Sequence, residues 1–128
     1  MGKYLLDTHT LLWMHDDSAL ISENLRNVLS AKNASLFLSI ASCWEITIKQ
    51  QIKKLKLEYN LDEIASYCLD NSINILPVSL TYITQYSLLP LFHRDPFDRM
   101  IVATAYCDNL VLVSKDSQLS QYNISVLW

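Results

Sequence analysis

Apolar residues follow two rhythms along this chain. Short runs read as strands, and longer stretches with apolar positions three and four apart read as helices. Tyr4-Leu5-Leu6 is a short buried strand ending at Asp7, and Thr8 to His15 is a first short helix or turn. Ser22 caps a helix reaching about Lys32, with Leu25, Val28 and Leu29 on one face. Leu36 to Ser39 is a second strand, and Ser39 or Ser42 caps the next helix, which runs to about Leu55. Asp62 to Asn71 forms a helix with Ile64, Ala65, Cys68 and Leu69 inward. Ile73 to Val78 is a third strand, broken by Pro77, and Ser79 opens a helix that stops before Pro90. After a loop over Leu91 to Arg94, Pro96 suits the first turn of a helix running to about Asp108. Leu110 to Val113 and Ile124 to Leu127 supply a fourth and a fifth strand.

Strands alternating with helices predict an α/β fold, a parallel sheet covered on both faces. The uniformly apolar strands agree, since parallel strands are buried on both sides. The 128 residues make one domain, 1–128. A hydrophobic share of 51% against 18% charged excludes disorder. A single glycine excludes a phosphate loop or dinucleotide fingerprint. No apolar run is long enough to span a membrane, and no signal-peptide pattern opens the sequence. Cys43, Cys68 and Cys107 are odd in number and far apart, without a paired motif. They are expected to be buried free thiols, which points to a reducing cytoplasm.

Ten basic and thirteen acidic residues give a net charge of −3, which by itself disfavours a nucleic-acid partner. The placement of the acids changes that reading. Asp7 follows the first strand, Glu45 lies in the first turns of the helix after the second, Asp98 opens the helix before the fourth, and Asp116 follows the fourth. In an open α/β sheet, strand C-ends and helix N-ends share one edge, and ligands bind there. Two unit charges about 4 Å apart repel by about 4 kcal/mol at an effective dielectric near 20, so protons or cations must compensate. An all-oxygen cluster suits Mg2+ or Mn2+ rather than Zn2+, and such ions favour phosphodiester hydrolysis.

Each acid also has a plainer role. Asp7 can cap the next helix, Asp98 can be the first-turn acid answering Asp95 as N-cap, and Asp116 can be a turn acid beside Ser117. Glu45 can pair with Lys49 one turn on. Spacing alone leaves both readings open. Ala41, Trp44, Ile48, Ile52 and Leu55 form an apolar stripe that sets Glu45 at the margin of the core, with Lys49, Lys53 and Lys56 trailing along the same flank. Asp98 heads a face continued by Ile101, Val102 and Ala105.

Four stretches resemble the PIN-domain ribonucleases, specifically the VapC-type toxins of bacterial toxin–antitoxin pairs. They are Tyr4-Leu5-Leu6-Asp7-Thr8-His9 with Leu12-Trp13, Ser39-Ile40-Ala41-Ser42-Cys43-Trp44-Glu45-Ile46 with Lys49, His93-Arg94-Asp95-Pro96-Phe97-Asp98-Arg99 with Ile101 and Ala103, and Leu112-Val113-Ser114-Lys115-Asp116. They span nearly the whole chain in the family's order. The resemblance implies a three-layer α/β/α fold around a mostly parallel sheet. It implies an endoribonuclease working with Mg2+ or Mn2+, held by Asp7, Glu45, Asp98 and Asp116, and products with a 5′-phosphate and a 3′-hydroxyl. Ser114 falls on the family's small hydroxyl before the last acid. Two departures stand out: Lys53 where similar sequences often end the helix with glycine, and Asn109 where glycine often precedes the fourth strand. Asparagine tolerates the left-handed backbone such a position needs.

Beyond the acids, Thr8, Ser114 and Asp95 are expected to orient a metal-bound water or support the ligands, with Asp95 favoured as a helix cap. Lys49, Lys53, Arg94 and Arg99 are candidate RNA contacts. Without Asp7, Glu45, Asp95, Asp98 and Asp116 the chain carries a net +2, a field RNA can follow. His93 can donate to a phosphate, though packing beside Pro96 is favoured. Trp13 and Trp44 are read as core rather than as stacking platforms. The resemblance also implies a homodimer, neutralised by a small antitoxin that inserts a C-terminal segment into the groove. Two other classes share such a fold: a receiver-like signalling module, whose acid pair and trailing lysine are poorly matched here, and a non-catalytic interaction domain.

Overall fold

The computed structural model describes residues 2–52 and 60–128. The elements run β1 (Lys3–Leu6), α1 (Thr8–His15), α2 (Glu23–Ser30), β2 (Ser35–Ser39), α3 (Ile40–Gln51), α4 (Leu61–Asp70), β3 (Ile73–Leu76), α5 (Leu80–Leu88), α6 (Pro96–Asp108), β4 (Val111–Val113) and β5 (Val126–Leu127). A 3-10 helix over Ser117–Tyr122, which the sequence pattern did not reveal, precedes β5.

The five strands form one sheet in the order β3-β2-β1-β4-β5, and every neighbouring pair is parallel. Strand residues alternate strictly between its two faces. Leu6, Leu36, Leu38, Ile73 and Val113 join the core beneath α1, α2, α3 and α4, whereas Leu5 and Leu112 join Ile101, Val102 and Ala105 of α6 on the other side. The chain is thus the expected three-layer α/β/α sandwich. Its strand order reverses at β1, between β2 and β4, which opens a crevice beyond the C-ends of those strands.

Capping residues set the boundaries. Ser22, Ser39 and Ser79 cap α2, α3 and α5, and Asn60 caps α4. Asn109 ends α6 in the left-handed conformation, at φ 53°, as its place before the fourth strand requires. Asn123 makes the same turn before β5.

Several expected core positions face water instead. Val28 of α2 and Ala65 and Leu69 of α4 are exposed, so those helices bury a narrower stripe, Leu25 with Leu29 and Ile64 with Cys68. The α3 stripe is rotated: Ala41, Ser42, Cys43, Glu45 and Ile46 are buried, while Trp44 is 64% exposed and Ile52 also faces water. The helix turns its polar Ser42 and Glu45 inward to meet α1, and Trp44 is displaced to the surface, edge-on to Phe97. Cys43 and Cys68 are buried free thiols as expected, but Cys107 is only half-buried. The expected extension of the helix to Leu55 and the Lys53 departure lie outside the described residues.

Candidate metal-binding site

The crevice at the reversal point is a cavity of about 210 Å³, lined by Asp7, Thr8, His9, Glu45, Lys49, Asp95, Asp98, Asp116 and Leu119. All four sequence-selected acids therefore meet there, although 109 positions separate Asp7 from Asp116. The backbone N–H of Asp7 donates to Val113 O, which locks the end of β1 to the end of β4.

Each plainer role is also realised. Asp7 caps α1 by accepting from the backbone N–H and hydroxyl of Thr10 at 2.8 Å, both on Oδ1. Asp116 caps the 3-10 helix, its Oδ1 accepting from Gln118 N at 3.0 Å. Asp95 caps α6 through Oδ1, which accepts from Phe97 N and Asp98 N. A carboxylate has a second oxygen. Capping uses only Oδ1 of Asp7 and Asp116; Asp7 Oδ2 remains for another task and Asp116 Oδ2 faces His93 Nε2 at 3.3 Å, so capping and a place at the cavity are compatible.

Glu45 is 3% exposed and held from two sides. Lys49 Nζ donates to Oε2 at 2.6 Å, and the Thr8 hydroxyl donates to Oε1 at 2.6 Å. Ser42 Oγ, fully buried, lies 2.9 Å from Thr8 Oγ1. Thr8 has one hydroxyl proton and the carboxylate claims it, so Ser42 donates to Thr8 in turn. Ser42 is a supporting residue the sequence reading passed over. Its spacing of three from Glu45, which puts both on one helix face, was the available signal.

Asp98 differs. Among the described residues nothing donates to its carboxylate. Burial pushes its pKa up to about 6, helped by the negative charges of Asp95, Glu45 and Asp7 and slightly offset by His93. Burial pulls the Lys49 ammonium down, but its bond to Glu45 and the charges of Glu45, Asp95 and Asp98 outweigh this, and its pKa is raised.

Ser114 is buried and its Oγ accepts from Asp116 N at 3.1 Å, shaping the turn that presents Asp116. His93, favoured from sequence as a packing residue beside Pro96, has polar partners at the site. Its Nε2 lies 3.3 Å from Asp116 Oδ2, and the Tyr122 hydroxyl lies 3.1 Å from its Nδ1 and accepts from its backbone N–H at 2.7 Å. Tyr122 sits in the unforeseen 3-10 helix, so no sequence signal marked it.

The RNA-contact candidates divide. Lys49 faces the cavity but is engaged with Glu45, Arg94 is exposed on the loop before α6, and Lys53 lies outside the described residues. Arg99 is corrected: it is 5% exposed, its guanidinium donates to the carbonyls of Pro90, Tyr86, Leu89 and His93, and it covers the Tyr86 ring. It staples the α5–α6 connection and offers nothing to a phosphate.

Among the described residues, no three His, Cys, Asp or Glu side chains already converge as a closed metal shell. The donor set nevertheless fits a hard dication. Among the described residues it consists of carboxylate oxygens backed by hydroxyls, without sulfur, and their one lysine or arginine lining the cavity, Lys49, is spent on Glu45.

A family profile described as PIN domain matches residues 4–124. No curated protein matches the chain in sequence. Among solved structures, VapBC2 from Rickettsia felis, bound to a DNA fragment from its promoter, superposes with a TM-score of 0.72 at 19% identity, covering 98% of this chain and 97% of that one. DNA-bound VapBC from Salmonella typhimurium gives 0.69 at 15% identity, covering 99% and 98%. The PIN domain endonuclease Utp24 gives 0.56 at 17% identity, covering 98% and 83%.

Proposed function

This chain belongs to the PIN domain family, and from that premise we propose that it is a metal-dependent endoribonuclease, the toxin of a toxin–antitoxin pair. The observation that carries the reading is the meeting of Asp7, Glu45, Asp98 and Asp116 around one cavity that holds more negative charge than the described residues offset.

Those four carboxylates would hold Mg2+ or Mn2+, directly or through water. When bound, such an ion supplies a nucleophile at neutral pH and stabilises charge developing on a phosphoryl oxygen. The protein's own part is orientation. Thr8 and Ser42 fix Glu45, the caps on Asp7 and Asp116 fix one oxygen of each, and Asp95 fixes the first turn of α6 beneath Asp98. Such preorganisation lowers a barrier because no dipole must turn at the moment of reaction. Arg94 on the rim would meet the RNA backbone. Cleavage would leave a 5′-phosphate and a 3′-hydroxyl.

Several structural neighbours are toxin–antitoxin complexes, which supports a small protein antitoxin as this chain's partner. A homodimer and a cytoplasmic location complete the proposal. Among the described residues no helix is long and apolar enough to cross a membrane.

The test is direct. Purified protein incubated with RNA should cleave it with Mg2+ or Mn2+ and stop when the ion is chelated. Glu45→Gln and Asp7→Asn should abolish both cleavage and growth inhibition on expression. Folded variants that stay fully toxic would favour the binding-only alternative.

A further inference from the structure

A second cavity, of about 290 Å³, adjoins the carboxylates on the β4 side and is lined by Asp7, His9, Trp13, Ser114, Lys115 and Asp116. Asp7, His9 and Asp116 line both cavities, so the two adjoin. Its floor is aromatic. His9 and Trp13 lie one turn apart on α1 with ring centroids 5.6 Å apart and planes tilted by 34°. The Trp13 ring also meets Trp128 edge-on at 5.5 Å, so it is braced from two sides. Trp13 packs partly against the core, yet it also faces this opening, a position the reading of it as core did not anticipate. His9 and Lys115 are exposed at the rim.

We infer that this cavity is a nucleobase subsite, in which a base of single-stranded RNA next to the cleaved phosphate lies against His9 and Trp13 while Lys115 meets the neighbouring phosphate. The inference rests on the nuclease reading and extends it to substrate contacts. A phosphate placed over the carboxylates must send its attached nucleoside sideways, and the adjoining cavity is where the flat rings of His9 and Trp13 border them. Aromatic shelves beside a basic group suit unpaired bases, because every base has a stacking face and a paired one cannot be offered to such a shelf. Lys115 adds the charge complement that a phosphate requires and an aliphatic peptide does not.

The subsite is tested by binding, separately from cleavage. Short labelled single-stranded RNA of mixed sequence, and a ribose-phosphate chain of equal length without bases, are titrated into the Glu45→Gln protein. The base-bearing strand is expected to bind about tenfold more tightly, the scale of one stacked base. Tryptophan fluorescence should fall with the first ligand and not with the second. His9→Ala and Trp13→Ala should each shrink that ratio severalfold, and Trp13→Phe should restore most of it. Because Trp13 also touches the core, Trp128→Ala supplies a second arm that loosens the brace without emptying the shelf, and an intermediate ratio is expected. A ratio that stays tenfold in folded His9→Ala and Trp13→Ala proteins overturns the subsite. So does a loss confined to binding of a protein partner, which would make the shelf a protein contact. Failure of the wild-type chain to cleave any RNA with Mg2+ or Mn2+ would instead strike the nuclease reading and leave the base-dependent binding intact.

Discussion

On the α3 side of the carboxylate cavity, negative charge is met from within; on the α6 side no described residue donates a hydrogen bond to meet it. Glu45 receives a lysine on one oxygen and a hydroxyl on the other, with a second hydroxyl behind. Asp98 receives no hydrogen bond from the described residues, and burial with three acidic neighbours pushes its pKa up to about 6. Both lie near helix N-ends beside the same crevice, so position in the fold does not explain the difference. A carboxylate satisfied internally builds the wall, and one left unsatisfied retains the free energy that a foreign cation can claim.

The largest effect should come from removing the unsatisfied charge. Asp98→Asn is expected to cut metal-dependent RNA cleavage about a thousandfold, measured under single-turnover conditions. The same change should leave Tm at neutral pH equal or slightly higher, because a repelled carboxylate becomes a neutral amide. Loss of cleavage together with loss of fold would mean that Asp98 is structural, and the contrast with Glu45 would dissolve.

Breaking the satisfied side should do the reverse. Lys49→Met leaves the 3% exposed Glu45 carboxylate without its cation. The cost is expected to be about 2 kcal/mol, or roughly 8 °C in Tm, below that of a fully buried pair because the lysine is partly exposed. Millimolar Mn2+ should recover much of it by supplying the missing positive charge, and should raise the Tm of this variant more than that of the parent. An equal rise in both proteins would show that Glu45 and the ion do not share a field.

How much of this contrast could be read in the chain depends on which force set each position. The strands and most caps were legible because apolar runs and serine or asparagine caps act locally. Asn109 was legible for the same reason, since its left-handed turn depends on its own short side chain. The face of α3 was not. A binary reading turns Trp44 inward, but Ser42 and Glu45 are drawn to Thr8 at the end of the neighbouring strand β1, and a buried polar network overrides the apolar stripe. Arg99 misled for a related reason: its partners are backbone carbonyls, and no side-chain pattern announces them. The meeting of the four acids was readable from their places after strands and before helices, but their unequal satisfaction required coordinates.

The pH dependence of stability should follow Asp98. Its pKa is raised from 3.8 to about 6, so the folded chain holds a proton that the unfolded chain has already lost across that window. The carboxyl therefore favours the fold most below pH about 4, and its contribution falls away as pH rises through about 6. Partial screening by water at the cavity mouth brings this to about 1 kcal/mol. Without divalent ions, the difference in stability between the parent and Asp98→Asn should move by that amount between pH 4 and 7. Mg2+ should stabilise the parent more at pH 8 than at pH 5, where protons compete for the same oxygens.

The smallest effect belongs to Ser42. Replacing Ser42 by alanine deletes the outermost member of the support behind Glu45 and leaves Thr8 donating to the carboxylate but accepting from nothing on that side. The loss should be about 1 kcal/mol of stability, the ordinary worth of one buried hydrogen bond. Thr8 and Lys49 still grip Glu45, so cleavage should slow severalfold through kcat, with KM for RNA unmoved because Ser42 lies behind the wall and touches no substrate. A purely structural serine would lower Tm and leave kcat per folded molecule unchanged, which is the result that would detach Ser42 from the site. A severalfold fall that Ser42→Thr reverses would show that the internal support of Glu45 reaches the chemistry, and that the satisfied side of the cavity contributes by position while the α6 side contributes by charge.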